Sequence, residues 1–336
     1  MEIEEHVPLV PYTTFHLGGP AKYFVRVRNV EELTCALDFA RDRSLNIFIL
    51  GGGSNVLIDD AGSDGLVLKI EINGITLSKE SNVATFVVGA GESWDGLVVR
   101  AVAESLWGIE NLSGIPGTVG GACVQNIGAY GAALSETLEW VEVFDIPRGE
   151  VVRLSNKECA FGYRDSIFKH TDGHYVVLRA AFRLSIQPKP NISYKDLNMR
   201  FADSVLDSST IRNAVLEIRK GKFPDLSQEG TAGSFFKNPI LPQIEAQKLR
   251  EQYPKMPLFD LPESAGVKIP LAWLFDHALN LRDTSMGGAR LFEKQLLVIA
   301  TEKNATAHEV RELANTVQKV TKEKLSIDIE PEVKII

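Results

Sequence analysis

Cysteine is scarce in this chain of 336 residues, and the three that occur are far apart. Cys35, Cys123 and Cys159 form no CxxC pair and have no histidine cluster beside them. Such an odd, scattered set predicts neither a disulfide framework nor a zinc site. We therefore expect no bound metal, and a reducing compartment such as the cytoplasm.

Long apolar runs and an excess of basic residues are also missing. No apolar run approaches the roughly 20 residues that span a bilayer, and the opening MEIEEHVPLVPYTTF lacks the basic and apolar regions of a secretory signal. With 36 basic and 44 acidic side chains the net charge is −8, which argues against nucleic acid and anionic membranes as partners. We expect a soluble cytoplasmic monomer that acts on a small molecule.

The patterns that are present are those of a mixed α and β chain with 44% apolar residues, enough for a sizeable core. Strands at 22–27 and 46–50 flank a helix that begins after Asn29, which predicts a β–α–β opening. Further strands are predicted at 66–70 and 83–88 and within 138–186, and further helices from Trp94, over 208–222 and over 306–324.

The sequence pattern changes after about residue 207, where a predicted helix is followed by a Pro-containing loop and the short strand-like GSFFK. We expect a domain boundary near 215–225. The last helix has a predicted capping box formed by Thr306 and Glu309. After it, IDIEPEVKII alternates as a strand would, with Glu330, Glu332 and Lys334 on one face.

Two glycine-rich regions are candidate ligand sites. Gly51-Gly52-Gly53-Ser54-Asn55 follows the strand at 46–50, and its backbone N–H groups suit a pyrophosphate. No helix opens there as in GxGxxG, so a Rossmann fold is disfavoured. Alone, this segment is as compatible with a turn that binds nothing. The second region, SGIPGTVGGA (113–122) with QNIGAYG (125–131), favours a phosphate-bearing ligand over a surface Ω-loop.

Four segments together resemble the FAD-binding half of the UDP-N-acetylenolpyruvoylglucosamine reductase family: YTTFHLGGPA (12–21), GGGSNVL (51–57), SGIPGTVGGA and QNIGAYG. The resemblance continues through FGYRDSIFK, GSFFKNP and EPEVKII. It implies an α+β chain: an FAD-binding fold of the vanillyl-alcohol-oxidase type with two α/β subdomains, and a C-terminal α+β substrate-binding domain. The expected bounds are 1–70, with 325–336 returning to the site, 71–218 and 219–324.

The resemblance also implies a reaction, the reduction of UDP-N-acetylglucosamine enolpyruvate to UDP-N-acetylmuramate in peptidoglycan synthesis. NADPH is expected to reduce non-covalently bound FAD and to leave before the sugar nucleotide binds and receives a hydride at C3. Ser234 is implied as the proton donor to C2, although a serine hydroxyl needs a strongly basic acceptor for this. Read without the family, the same serine would bond to its own backbone.

Arg164 and Glu332 complete the implied catalytic set. The Arg164 guanidinium suits a carboxylate whose charge grows in the transition state, although it could equally pair with Asp165. The family's acid is the second glutamate of E-x-E-V, which selects Glu332 over Glu330. Glu332 would serve as a protonated acid or as a group that orients the substrate or a water. Read by itself it would be a surface residue.

The family's contact residues can be carried onto this sequence one by one. The implied FAD contacts are Tyr12, Thr13, Gly51, Gly52, Gly53, Ser54, Asn55, Ser113, Gly114, Ile115, Pro116, Gly117, Thr118, Gly121, Ala122, Asn126, Gly128, Ala129, Tyr130 and Gly131. The implied substrate contacts are Tyr194, Lys222, Asn238, Arg282 and Gln295. Arg282 stands where the family suggests lysine. Tyr194 lies in PKPNISYKDLNMR, a segment suited to a lid, or is a half-buried core phenol.

Two other functions compete with this interpretation. The first is a flavin-dependent oxidase or dehydrogenase of the same fold, which often tethers its flavin through His or Cys. No tethering motif surrounds any of the six histidines or Cys123. The second is a nucleotide-sensing module without catalysis, against which the presence of Ser234, Arg164 and Glu332 argues.

Overall fold

The chain passes repeatedly between two units in the computed structural model, which describes residues 1–171, 173–201, 206–261 and 266–336. The first unit comprises Met1–Val7, Pro20–Gly53 and Ser63–Gly221. The second comprises Pro8–Gly19, Ser54–Gly62 and Lys222–Ile336. The three-domain bounds expected from the sequence stay a prediction.

The strands of the described residues range from two residues to eleven. In chain order they are β1 (Glu4–Pro8), β2 (Pro20–Val27), β3 (Ile47–Leu50), β4 (Val56–Leu57), β5 (Ser63–Ile70), β6 (Ile75–Glu80), β7 (Val83–Gly89), β8 (Gly128–Ala129), β9 (Ala132–Ala133), β10 (Leu138–Asp145), β11 (Glu150–Ser155), β12 (Tyr175–Ser185), β13 (Ile240–Leu241), β14 (Phe259–Asp260), β15 (Val267–Lys268), β16 (Ser285–Met286), β17 (Ala289–Phe292), β18 (Gln295–Thr301) and β19 (Lys334–Ile335).

The α-helices of the same residues include the four expected from the sequence. They are α1 (Val30–Asp42), α2 (Trp94–Ala103), α3 (Val119–Gln125), α4 (Ile167–His170), α5 (Lys195–Phe201), α6 (Ser208–Lys220), α7 (Gln243–Gln252), α8 (Leu271–His277) and α9 (Ala307–Leu325). Within the part of the chain that is described, none of these helices has the length and apolar character to cross a membrane.

The first unit contains a four-stranded sheet in the order β1-β2-β5-β3. Strands β2 and β3 both run parallel to β5, and α1 connects them, so the predicted β–α–β opening is confirmed. The Asn29 side chain accepts a hydrogen bond from the Glu32 amide and begins the helix. Leu33 of α1 packs with Val25 and Leu68 of the sheet in one buried cluster.

A second sheet of the first unit is antiparallel, in the order β11-β10-β12-β7-β6. Its strands account for the predicted sheet within 138–186. Helix α2 contributes the buried Trp94, whose ring packs edge-on against Phe182 of β12 with 5.6 Å between the ring centroids. This core supports the loop between α2 and α3, which contains the start of the second glycine-rich region, residues 113–118.

The second unit is built around the antiparallel sheet β16-β17-β18 and the long helix α9. The predicted capping box is confirmed, because the Thr306 hydroxyl accepts from the Glu309 amide and the Glu309 carboxylate accepts from the Thr306 amide. The apolar face of α9 lies in the core of the unit. A smaller antiparallel sheet, β13-β15-β14, completes the unit.

The strand predicted from IDIEPEVKII forms only at its end. Lys334 and Ile335 make β19, which pairs in parallel with β4. Pro331 has no N–H to donate, which interrupts a continuous ladder. The alternation of faces is also incomplete, because Val333 is buried whereas Ile335 is 41% exposed.

Candidate functional site

The two glycine-rich regions meet inside the first unit. A Cβ added to Gly52 would lie 2.5 Å from Gly117 Cα, and one added to Gly51 would lie 2.8 Å from Thr118 Oγ1. Contacts this close to backbone leave no room for a side chain on Gly52. The sequence predicted both regions as ligand loops but could not predict that they touch.

Unengaged N–H groups line both loops at this contact. The amides of Gly52, Gly53, Ile115 and Gly117 donate no hydrogen bond to any residue that the structure describes. Gly53 and Gly117 have φ of 62° and 119°, which a side chain would disfavour. A narrow cradle of free donors fits the phosphate oxygens of a dinucleotide, so these residues fit the FAD that the sequence predicted.

Arg164 also belongs to the first unit and reaches the end of the second glycine-rich region. Its Nη2 donates to the Gly128 carbonyl at 2.7 Å, and its own carbonyl accepts from Lys169 Nζ at 2.8 Å. Its φ of 54° is strained for a residue with a side chain. The Asp165 carboxylate, its alternative partner from the sequence, accepts from the His170 ring at 2.8 Å.

Two asparagines hold the backbone of QNIGAYG in place. Asn126, in a left-handed conformation with φ of 42°, donates to the Gly162 carbonyl and accepts from the Ser135 amide. Asn111 is buried and donates to the Tyr130 carbonyl at 2.7 Å. Asn111 was not predicted from the sequence, where nothing distinguishes it from a surface asparagine.

The second unit brings Ser234 and Glu332 to neighbouring backbone positions. Phe235, which follows Ser234, accepts a hydrogen bond from the Glu332 amide at 2.7 Å. On its other side Ser234 forms a bridge with Val298 of β18. The GSFFK segment therefore lies between β18 and the C-terminal segment, and Gly233 enters it with φ of 78°. Neither approach is apparent from the sequence, in which Glu332 is remote from Ser234.

Asn55 fixes the other side of Glu332. Its Nδ2 donates to the Glu332 carbonyl at 3.0 Å, so both backbone polar groups of Glu332 are held. Glu330 instead is an exposed residue with its carboxylate 3.9 Å from Lys237 Nζ. The choice of Glu332 over Glu330 as the catalytic acid stays a prediction.

The remaining predicted FAD contacts are divided between the units. Tyr12, Thr13, Ser54 and Asn55 belong to the second unit, and the others to the first. The Thr13 hydroxyl is buried and donates to the Leu17 carbonyl. The Ser113 hydroxyl likewise donates to the carbonyl of Glu110, whose carboxyl pKa is raised by burial. Both hydroxyls thus stabilise their own loops. The FAD contacts carried over from the family stay a prediction.

The predicted substrate contacts differ in how many of their polar side-chain atoms already form hydrogen bonds within the protein. Asn238 Oδ1 accepts from the Leu271 amide and caps α8, and Arg282 donates twice to Asp276. Gln295 Oε1 is buried and has no hydrogen-bond partner among the residues described, which leaves an acceptor for a ligand. Lys222 is half-buried at the start of the second unit, and Tyr194, in the first, packs edge-on against Tyr130.

Lys69 contacts the first glycine-rich region, Gly51–Asn55, which is called the first glycine loop below. Lys69 was not among the predicted site residues. Its Nζ donates to the Gly51 carbonyl at 2.5 Å. The only sequence feature that could have identified it is a charged residue inside the apolar run LVLKI.

Comparison with known proteins gives consistent matches over both halves of the chain. A model described as FAD binding domain matches residues 21–155, and one described as UDP-N-acetylenolpyruvoylglucosamine reductase, C-terminal domain, matches residues 225–336. These matches confirm the predicted class, an α+β chain with an FAD-binding fold followed by a C-terminal domain.

Relatives named UDP-N-acetylenolpyruvoylglucosamine reductase align over almost their full length. The one from Chromobacterium violaceum is 39% identical, covering 99% of this chain and 98% of the relative. The one from Amoebophilus asiaticus is 38% identical over 100% of both. The crystal structure of the reductase (MurB) from Thermus caldophilus superposes with a TM-score of 0.70 at 26% identity, covering 99% of this chain and 98% of that one.

Proposed function

Because the chain belongs to the UDP-N-acetylenolpyruvoylglucosamine reductase family, we propose that it reduces the enolpyruvyl group of UDP-N-acetylglucosamine enolpyruvate to give UDP-N-acetylmuramate, with FAD as cofactor and NADPH as reductant. This reaction serves peptidoglycan synthesis. The observation that carries the proposal is the pairing of the Glu332 amide with the Phe235 carbonyl, because it places the backbone of Glu332 beside the residue that follows Ser234.

The glycine cradle of the first unit is the site we propose for the FAD diphosphate. The free amides of Gly52, Gly53, Ile115 and Gly117 would donate to its oxygens without a salt bridge, and the close packing at Gly52 sets the spacing of the two loops. FAD supplies, when bound, the hydride that reaches C3 of the substrate.

Ser234 is proposed to deliver the proton to C2. Its hydroxyl forms no hydrogen bond with any residue in the described part of the chain, so it is available to a substrate. A serine hydroxyl transfers its proton only to a strongly basic carbon, and an enolate formed by addition at C3 is such an acceptor. The new C–H bond at C2 takes the hydroxyl proton, and the oxygen of Ser234 must then recover a proton from solvent or a neighbour.

Arg164 and Glu332 are proposed to manage the charge around this step. The Arg164 fork would bind the substrate carboxylate, on which negative charge grows as the enolate forms. Its strained φ of 54° is consistent with a functional position. Glu332 would orient the substrate or a water molecule near Ser234, since both of its backbone polar groups are held in place.

The nucleotide and diphosphate of the substrate are proposed to bind Tyr194, Lys222, Asn238, Arg282 and Gln295. The orphaned amide oxygen of Gln295 supports its assignment, because it needs a donor that the described residues do not supply. Arg282 would have to exchange its two bonds to Asp276 for phosphate oxygens. Asn238 keeps its Nδ2 for a ligand while its Oδ1 caps α8. We also propose that the protein acts as a monomer in the cytoplasm.

A spectroscopic titration tests the proposed function. We expect the purified protein to be yellow, to release FAD on denaturation, and to lose its visible absorbance when NADPH is added without oxygen. Addition of UDP-N-acetylglucosamine enolpyruvate should restore that absorbance and yield UDP-N-acetylmuramate. A colourless protein, or a reduced flavin that the sugar nucleotide fails to reoxidise, would overturn the proposal.

A further inference from the structure

Lys69 is a charged side chain near the end of β5, where the other residues from Gly65 to Ile70 are buried. Its neighbours along β5, Leu68 and Ile70, lie in the main core of the first unit, and Lys69 projects from the opposite face. The side chain is half-buried, and its Nζ lies 2.5 Å from the Gly51 carbonyl oxygen. A lysine here therefore contacts the first glycine loop directly.

The charge of Lys69 is not matched by a nearby acid. Among the described residues no carboxylate oxygen lies within 4.0 Å of its Nζ. Its partner in the register of β2 is Arg26, a second cation. Glu71, the acid that acts on it through charge, has its oxygens 3.7 Å from Arg26 Nε and 3.9 Å from Arg28 Nε. A half-buried ammonium without an ion pair is stabilised when a ligand brings an anion.

The bond to Gly51 also sets the direction of the next amide. The carbonyl and N–H of one trans peptide point in opposite directions. When Lys69 holds the Gly51 carbonyl, the Gly52 N–H therefore points away from Lys69, and it donates to no other described residue. Glycine on both sides of this peptide would otherwise let it rotate easily.

We propose that Lys69 is a positioning residue for the FAD diphosphate. It holds the Gly51–Gly52 peptide so that the Gly52 amide faces the phosphate oxygens, and it places a positive charge behind that amide. The inference rests on the proposed function only in taking FAD as the ligand.

Lys69→Met tests this role, with Lys69→Arg as the conservative variant and Lys22→Met as the matched control on the exposed face of β2. The dissociation constant of FAD is measured from the recovery of flavin fluorescence when each holoprotein is diluted. We expect Lys69→Met to weaken FAD binding about tenfold, as for the loss of one charge-assisted hydrogen bond. Lys69→Arg should recover most of the affinity, and Lys22→Met should match the wild type.

Repeating the measurement at rising KCl separates a charge effect from a packing effect. The gap between wild type and Lys69→Met should narrow with salt, because salt screens the attraction between ammonium and diphosphate. Wild-type affinity in Lys69→Met, or equal weakness of the Met and Arg variants, would overturn the role of Lys69. If Lys69→Met does not fold, Lys69→Gln decides, since unchanged affinity without the charge overturns the role. A wild-type protein that binds no FAD would instead refute the proposed function.

Discussion

Ser234 owes its position to backbone pairing on both sides of a short segment rather than to a bond of its own side chain. The bridge to Val298 and the bond from the Glu332 amide to Phe235 fix the chain around it, while its hydroxyl stays available. Removing the hydroxyl should therefore change the chemistry and leave the local structure intact.

Ser234→Ala is expected to separate the two half-reactions. Loss of flavin absorbance on adding NADPH should stay within about twofold of wild type, whereas reoxidation by the sugar nucleotide should slow by about a hundredfold or more, as for a lost general acid. Stopped-flow absorbance measures both steps. Ser227→Ala, at an exposed serine of the same unit, is the control. Equal slowing of both steps in Ser234→Ala would contradict its role as proton donor.

At the scale of residues, the sequence indicated chemistry only where a motif carried it. Ser234 and Glu332 were predicted through family resemblance, because a lone serine or glutamate has no distinguishing local pattern. Lys69 and Asn111 were not predicted, because neither lies in a recognisable motif. Their roles depend on contacts with loops 18 and 19 residues away in the chain. The glycine-rich regions were predictable, because a dense run of glycines is typical of a loop whose backbone closely approaches another group.

Helices α2 and α6 are joined at the second glycine loop by Asp95. Its carboxylate accepts two bonds from Arg212, at 2.6 and 2.8 Å, and one from the Gly114 amide at 2.6 Å. Burial tends to raise the pKa of Asp95, but the bonds to Arg212 and Gly114 outweigh it and lower the pKa. The carboxylate thus links two helices and the start of a ligand loop.

Asp95→Asn should lower the free energy of unfolding at neutral pH by about 1–2 kcal/mol, allowing for partial solvent screening. Because folding lowers the pKa of Asp95, its contribution is present above the ordinary Asp pKa of about 4 and is lost as pH falls through the folded value. Urea unfolding between about pH 7 and about pH 3 measures this. The deficit should shrink on acidification, and Asp42→Asn, at a largely exposed aspartate, should show little deficit at any pH. A deficit independent of pH would contradict the assignment.

At the scale of elements, strong local patterns predicted well and short or interrupted ones did not. The caps at Asn29 and Thr306 were confirmed because each depends only on residues within one turn. The C-terminal strand was wrong over most of its length, because Pro331 breaks the ladder that its alternation suggested. The two-residue strands β4 and β19 have too few residues for any periodicity to appear.

FAD should bind the folded chain through the glycine cradle of the first unit and not the unfolded chain, so FAD binding should stabilise the protein. Free FAD at about 100 times its dissociation constant should add about 2.7 kcal/mol to the free energy of unfolding. Calorimetry at increasing FAD should show the unfolding temperature rising with the logarithm of its concentration. Riboflavin, which lacks the diphosphate, should have little effect. An unfolding temperature independent of FAD would contradict this prediction.

At the scale of the molecule, the membership of the second unit could not be predicted from local patterns. Residues 8–19 join it through contacts such as the Thr14 hydroxyl with the Thr231 carbonyl and the Thr301 hydroxyl with the Phe15 carbonyl. The partners are 217 and 286 residues apart in the chain. A hydrophobicity pattern within a short sequence window cannot predict pairings between residues so far apart.

The assembly of the second unit from distant stretches has a consequence for how the protein is made. Val56 and Leu57 leave the ribosome early, but their partners in β19 are among the last residues translated. The first unit contains no residue beyond Gly221, so every residue of its glycine cradle is synthesised by then. Ser234 acquires its neighbour Glu332 only at the end of synthesis. The residues proposed to bind the diphosphate are therefore all synthesised long before Ser234 can meet Glu332.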